Sequence, residues 1–197
     1  MPACGEKPAQ GGIGMSLCLH TDTLHPPALQ AGQSVRLSGV IYTARDAAHQ
    51  KLTALLKQGA PLPFPLRGGV LYYAGPTPAP PGFPIGACGP TTSGRMDPFT
   101  PLLLENGLRA MIGKGPRHPS VVQAIRTYGA VYFCAVGGAG ALMASCVTDM
   151  DEVAFPELGC ESVKRLVIRH MPLIVGIDSH GGDLFASGPQ AYWREGV

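Results

Sequence analysis

The stretch Ile85–Asp97 reads I-G-A-C-G-P-T-T-S-G-R-M-D and constrains the chain more than any other. Its first residues predict a short strand of small side chains over Gly86–Gly89. Gly89-Pro90 must end it, because proline removes a backbone donor and fixes φ. Two hydroxyl residues, Thr91 and Thr92, and then Gly94 lead to a lone guanidinium at Arg95. Asp97-Pro98 predicts a helix start, with Asp as the cap and Pro at the first helical position. A donor-rich loop that contains an arginine and enters the positive end of a helix is a place to hold an anion.

The same order of strand, loop and helix recurs along the chain and predicts an α/β domain. Residues 1–15 are rich in Gly and Pro and read as a loose N-terminal segment; 16–197 read as one domain, with no internal repeat and no dividing linker. Ser16–Thr23 is a candidate first strand. Val35–Tyr42 alternates Val35, Leu37, Gly39 and Ile41 against more polar neighbours, the pattern of a strand. Thr43 with Asp46 three residues on is a capping box in its acidic form, opening a helix that runs to about Gln58 and stops at Gly59. Arg45 falls in the first turn, where the helix dipole disfavours a cation by up to ~1 kcal/mol. An external anion would relieve that conflict. His49 lies four residues on and shares a face with Arg45; its plainer reading is a partly buried helix histidine bonded to backbone.

Further on, Gly69–Ala74 reads as a strand, Gly75–Gly82 as a proline-rich turn, and the helix from Asp97 stops at Asn106-Gly107. Leu108–Ile112 is a strand followed directly by Gly113-Lys114-Gly115. Pro119–Tyr128 is a helix, and Ala130–Val136 a buried strand. Lys164–Arg169 and Pro172–Ile177 read as two strands, Asp178–Asp183 as a polar turn, and the tail from Ala186 as irregular.

Composition removes several classes of function. A net charge of +2 gives no general electrostatic case for nucleic acid or an anionic membrane. The charged share is 14%, below the usual ~25%, as expected either if a partner covers part of the surface or simply of a chain heavy in glycine and proline, with 27 Gly and 20 Pro. The six cysteines, at 4, 18, 88, 134, 146 and 160, form no C-x-x-C and so lack zinc or cluster ligand spacing. The opening M-P-A-C-G-E-K-P-A-Q-G-G has no apolar core of a signal peptide, so free thiols in a reducing cytoplasm are expected. Ala130–Val147 is uncharged for 18 residues, but Gly137-Gly138 interrupts it, and it reads as a strand, a turn and a small-residue helical turn rather than a membrane span. A dinucleotide fingerprint at Gly137–Gly140 fails at Met143, and no G-x-S-x-G elbow is present.

Three features share one kind of position. Thr43–Arg45, Gly89–Arg95 and the turn bearing Lys114 each follow a predicted strand. If those strands are parallel, the three loops meet at one sheet edge, where open α/β sheets bind ligands. Arg45, Arg95 and Lys114 would then face a small polyanion such as a dicarboxylate, with few local carboxylates to neutralise them.

The segments Arg45-Asp46-Ala47-Ala48-His49, Gly89-Pro90-Thr91-Thr92-Ser93-Gly94-Arg95-Met96-Asp97 and Gly113-Lys114-Gly115 resemble, in order and spacing, those of iron–sulfur hydro-lyases. The likeness is to the β subunit, or C-terminal half, of class I fumarases and L-tartrate dehydratases, and it extends more loosely over Val35–Phe185. It implies a swivelling β/β/α fold with a mixed sheet. It implies trans addition or removal of water across a dicarboxylate, as between malate and fumarate. The family's [4Fe–4S] cluster is held by three cysteines of the other subunit or domain, so the resemblance implies an α-subunit partner, a heterotetramer or homodimer, and no metal ligands in this chain. By the same resemblance Arg45, Arg95 and Lys114 hold the substrate carboxylates and Thr92 assists by hydrogen bonding. Thr91 corresponds to a threonine suggested as the base for the C3 proton, and His49 to a histidine sometimes regarded as catalytic. A threonine hydroxyl needs its pKa lowered substantially to act as a base, whereas an ordinary histidine is better matched to proton transfer. Pro116 departs from the polar residue many relatives carry after the lysine–glycine pair, which bears on the Lys114 loop and substrate choice. The leading expectation is a fumarate hydratase β subunit. The alternatives are an L-tartrate dehydratase β subunit and, from another class, a non-catalytic anion-binding or regulatory subunit.

Overall fold

In the computed structural model, which describes residues 16–192, the alternating stretch becomes strand β2 (Ser34–Thr43), with Val35, Leu37, Gly39, Ile41 and Thr43 buried in turn. The expected loose segment over 1–15 lies outside the described residues, as does Cys4. Short apolar runs give β1 (Leu17–His20), β3 (Val70–Tyr72), β4 (Ala110–Gly113) and β5 (Val131–Cys134), and β6 (Val147–Ala154) follows the glycine turn. β7 (Val163–Ile177) is the longest strand. The helices are α1 (Asp46–Lys57), α2 (Thr100–Glu105), α3 (Pro119–Tyr128), α4 (Gly140–Ser145) and α5 (Leu184–Tyr192).

β1 and β3 lie parallel to β2, and β3, β4 and β5 continue the parallel run. β7 is antiparallel to β2, β5 and β6, and by pairing with both β2 and β5 it closes the mixed sheet into a barrel-like ring. This is the mixed α/β architecture expected. Alternation sorts the core in two. Leu37, Ile41, Tyr72, Ile112, Phe133 and Val175 fill the inside of the ring. Leu71, Tyr73, Met111 and Tyr132 point outward and are covered by α1, α2 and α3. Among the described residues no helix is long and apolar enough to cross a membrane.

Where local signals failed, a distant partner had displaced them. Thr43 does not cap α1: its hydroxyl donates to Ser162 O and accepts from Lys164 N across the ring, and Arg45 occupies the cap position without a side-chain capping bond. Asp97 does not start a helix, because its carboxylate accepts from Arg117 and from the His118 amide. A 3-10 turn, Ser93–Met96, precedes it, and α2 begins only at Thr100. Gly86–Gly89 is a loop, not a strand; Gly86 is packed so tightly under Thr77 and Pro78 that an added Cβ would lie 2.3 Å from Thr77 Oγ1. The two strands expected around Pro172 are one. His170 takes φ 51, its N–H goes to Ser38 Oγ at 2.9 Å, and the ladder with β2 resumes after a register shift. The first strand ends early in a 3-10 turn over Thr21–Thr23, and the tail from Leu184 is helical through Tyr192.

Candidate functional site

Because β2, β3 and β4 are parallel, their C-terminal ends reach one edge of the ring, and the chain delivers Arg45, the Tyr73–Ala74 segment and Lys114 there. The Gly89–Arg95 loop, expected to follow a strand, is instead threaded between the ends of β3 and β4. Thr91 N donates to Tyr73 O at 2.7 Å, Ser93 N donates to Lys114 O at 2.9 Å, and Ala74 and Thr92 form isolated bridges to Pro90 and Lys114. Arg45, Arg95 and Lys114 therefore stand on segments joined to one another by backbone hydrogen bonds and side-chain contacts.

Gly113 is what permits this approach. A Cβ there would lie 1.9 Å from Ser93 Oγ and 3.0 Å from Tyr73 Cδ2, a contact no side chain sustains. Gly75 has a similar part: a Cβ would meet Arg45 Nη1 at 3.0 Å, so the guanidinium lies against bare backbone. Lys114 runs past Gly137, whose Cβ position is 3.6 Å from Lys114 Cδ.

The expectation of few local carboxylates is corrected for the arginines. Arg95 Nε pairs with Asp46 Oδ1 at 2.8 Å, and Arg45 Nη2 with Glu161 Oε1 at 3.2 Å. Glu161 Oε2 also accepts from Ala47 N at 3.3 Å, doing the capping that Thr43 was expected to do. These pairs supply internally the anion that Arg45 at the helix start requires. They orient each guanidinium through one edge and leave other N–H groups free of described partners. Lys114 has no carboxylate within 4.0 Å among the described residues.

His49 is fully buried and stacks edge-on to Tyr73 at 5.3 Å and tilted to Phe99 at 6.0 Å. Its Nδ1 lies 2.8 Å from Arg45 O, an acceptor only, so Nδ1 carries the proton and Nε2 is bare. Burial drives its pKa down to about 4, with the Arg117 cation adding to the fall and the bond to Arg45 O opposing it. The ordinary histidine pKa expected to favour proton transfer is thus not retained. Four buried side-chain polar atoms lack a partner among the described residues, and three of them, Arg45 Nε, Asp46 Oδ2 and His49 Nε2, sit in the first turn of α1. Each such atom costs about 1–3 kcal/mol, so this turn is where the fold leaves polar groups for something else to satisfy.

Thr91 is partly buried and Thr92 exposed; neither hydroxyl has a partner among the described residues. Residues that the sequence did not single out hold this edge together. Ser93 is buried beneath it, Tyr132 OH bridges Ser93 Oγ and Gly115 O at 2.9 Å each, and Arg117 is buried between Tyr73 and Tyr132. The hydrogen bonds of Tyr132 to Ser93 and Gly115 and of Arg117 to Thr100 span 17 to 39 residues, so no local pattern marks them. Among the described residues the five cysteines are free and no three His, Cys, Asp or Glu side chains gather as a ligand set.

Comparison with known proteins gives one family, described as Fumarase C-terminus, matching residues 19–188. The chain is 38% identical over 151 residues to a protein named Fumarate hydratase 1, mitochondrial, of Leishmania major, and 38% identical over 151 residues to the anaerobic class I fumarate hydratase of Escherichia coli (strain K12). Each alignment covers 76% of this chain and 28% of the relative, so the chain spans little more than a quarter of those enzymes. It is also 39% identical over 163 residues to a Methanocaldococcus jannaschii chain provisionally named L(+)-tartrate dehydratase subunit beta, covering 80% of this chain and 84% of that one.

Proposed function

The chain belongs to the Fumarase C-terminus family, and from that premise we propose that it is the β subunit of a fumarate hydratase, supplying the dicarboxylate-binding half of the site where fumarate and malate interconvert. The observation that carries this reading is that the segments bearing Arg45, Arg95 and Lys114 share one edge, around a helix turn whose polar atoms Arg45 Nε and His49 Nε2 are buried without partners among the described residues. Arginines held by one edge keep N–H pairs for a bidentate carboxylate.

In the proposed reaction Arg45, Arg95 and Lys114 bind the two carboxylates, and Thr92 hydrogen-bonds to one. Removing the weakly acidic C3 proton drives negative charge onto the neighbouring carboxylate, where fixed cations stabilise it, and that charge expels hydroxide from C2. The cluster held by the partner would supply the Lewis acid for the departing hydroxide. Thr91, as the alkoxide, takes the proton and returns to the hydroxyl. Lys114, with no carboxylate within 4.0 Å among the described residues, and Arg95 are the cations that favour its alkoxide. His49, neutral at pH 7 with a bare Nε2, accepts a hydrogen bond rather than donating a proton.

The resemblance implies a [4Fe–4S] cluster, and the described cysteines of this chain do not fit as its holders, since no three of them gather with each other or with His, Asp or Glu. Burial also pushes the Cys88 thiol up to about 12 and Cys134 up to about 11, away from the thiolate a metal needs. We assign the cluster to an α subunit or domain, in a cytoplasmic heterotetramer or homodimer. Co-expression with a chain bearing three cluster-type cysteines, followed by anaerobic hydratase assay, tests the assignment. Activity appearing only in the complex supports it; full activity of this chain alone without iron overturns it.

The 84% coverage of the tartrate dehydratase-like β chain favours a second reading, that the substrate carries a further hydroxyl. Turnover of malate against L-tartrate by the assembled enzyme separates the two.

A further inference from the structure

Arg117 was given no role by the sequence, yet its side chain is fully buried, 0% exposed. A guanidinium in a protein interior is costly unless its N–H groups and charge are met. Here they are met by an unusual set. Nε donates to Asp97 Oδ1 at 2.6 Å, and Nη2 donates to Thr100 Oγ1 at 2.8 Å. Its Cζ lies 5.3 Å from the Tyr73 ring centroid and 5.0 Å from that of Tyr132, cation–π contacts on two rings. Nη1 is 3.8 Å from the Met111 sulfur.

Each partner leads to one of the cation-bearing segments. Asp97 ends the 3-10 turn that carries Arg95, and its second oxygen accepts from His118 N at 2.7 Å. Thr100 Oγ1 donates to Met96 O at 2.8 Å, the last residue of the same turn. Tyr132 OH reaches Gly115 O beside Lys114 and Ser93 Oγ at the head of the Arg95 turn. Tyr73 lies against His49 on its other side. Arg117 itself follows the Lys114 turn by three residues, so one rigid, forked side chain ties the two turns from beneath.

We propose that Arg117 is a positioning residue, which with Asp97 and Tyr132 fixes the spacing of Arg95 and Lys114 and so the length of dicarboxylate the site accepts. Its bearing on substrate rests on the function proposed above; the mechanical part does not. Lysine cannot replace it, because an ammonium has no planar fork to join Asp97 to Thr100 and stacks less well on the rings.

The test has two readouts. The first is amide hydrogen exchange in the full chain, comparing wild type with Arg117→Lys, Arg117→Gln and Asp97→Asn. Protection of the Ser93 and His118 amides is expected to fall by about tenfold or more while the β4 and β5 amides keep theirs. The second is steady-state kinetics of the complex with its partner chain. KM for the dicarboxylate should rise by about tenfold to a hundredfold, more than kcat falls, with narrowed preference between malate and L-tartrate. Unchanged exchange at Ser93 and His118 in Asp97→Asn overturns the proposal. So does a uniform loss of protection in Arg117→Gln that is absent from Arg117→Lys, since that marks an ordinary core cation. If Arg117→Gln does not fold, Arg117→Lys and Asp97→Asn still decide. A wild-type complex inactive on every dicarboxylate removes the functional reading and leaves the exchange result standing.

Discussion

Arginines stand at both edges of the parallel strands, and the fold treats them in opposite ways. Where β2 and β4 end, Arg45 and Arg95 are tied to Glu161 and Asp46, Arg117 is buried below, and three buried polar atoms have no partner among the described residues. Where β3 and β4 begin, Arg67 and Arg109 are exposed and line a hollow of about 280 Å³ with His25 and Tyr128. Among the described residues the Arg109 side chain makes one hydrogen bond, to Leu24 O at 3.0 Å, and neither arginine has a carboxylate within 4.0 Å. By free charge alone the second edge is the better anion site. What separates them is desolvation: among the described residues three of the four buried polar atoms without a partner lie at the first edge, two of them on charged side chains, against the single Ser179 hydroxyl past the end of β7, and a desolvated charge is where an interaction with a ligand is worth most.

The largest effect that should divide the edges is catalytic. In the assembled enzyme Arg95→Ala is expected to lower kcat/KM by about a hundredfold or more, whereas Arg109→Ala should change it by no more than about twofold. Equal losses from the two, measured by steady-state hydration of fumarate, would break the comparison.

Next in size is a dependence of stability on pH. His49 has a folded pKa of about 4 against 6.5 unfolded, so the unfolded chain takes the proton first. Stability from this residue is full above about pH 6.5 and is lost as pH falls towards 4, amounting to about 2 kcal/mol by pH 5. Denaturant titrations at pH 7 and pH 5 should show that loss. His49→Gln should flatten it, while replacing exposed His25 at the other edge should leave it in place. A wild-type curve with no slope between those values would mean that His49 is hydrated.

Glycines sharpen the same contrast. Gly113→Ala should cost about 1–3 kcal/mol through overpacking against Ser93 and Tyr73. Gly129→Ala at the opposite edge, with φ 64 and no atom within 4 Å of its Cβ position, should cost about 1 kcal/mol from backbone strain alone. Chemical denaturation of the two variants gives both values.

What could be read in advance follows the range of the forces involved. The α3 boundaries were legible because Pro119 and Gly129 act locally, the latter with φ 64 at the helix end. The placing of Arg45 and Lys114 at one edge was legible because parallel strands carry successive loops there, whereas Arg95 reaches that edge on a loop threaded between β3 and β4 that no strand delivers. Misreadings fell where a distant group prevailed over a local one: Asp97 capping no helix but gripping Arg117, Thr43 bonding to Ser162 and Lys164, and Ser38 taking the His170 N–H so that β7 runs on past Pro172. Glu161 was invisible for the same reason, lying 114 residues from the amide it caps.

The smallest predicted effect concerns Asp46, and it tests why this edge carries carboxylates beside the cations proposed to bind a dianion. Asp46 Oδ1 holds Arg95 Nε, while Oδ2 is buried without a hydrogen-bond partner among the described residues, 3.9 Å from Arg45 Nε. With Arg95 about half exposed the pair itself stabilises weakly, so Asp46→Asn should alter unfolding free energy by less than about 1 kcal/mol. If Asp46 merely neutralised Arg95, removing its charge would tighten dicarboxylate binding and lower KM. If it aims both guanidinium groups, the amide keeps one acceptor but loses the charge that holds two arginines in register, and KM should rise by a few-fold. A fall in KM would assign the edge to competition between internal and external anions; a rise would make Asp46 the part of the anion site that the opposite edge lacks.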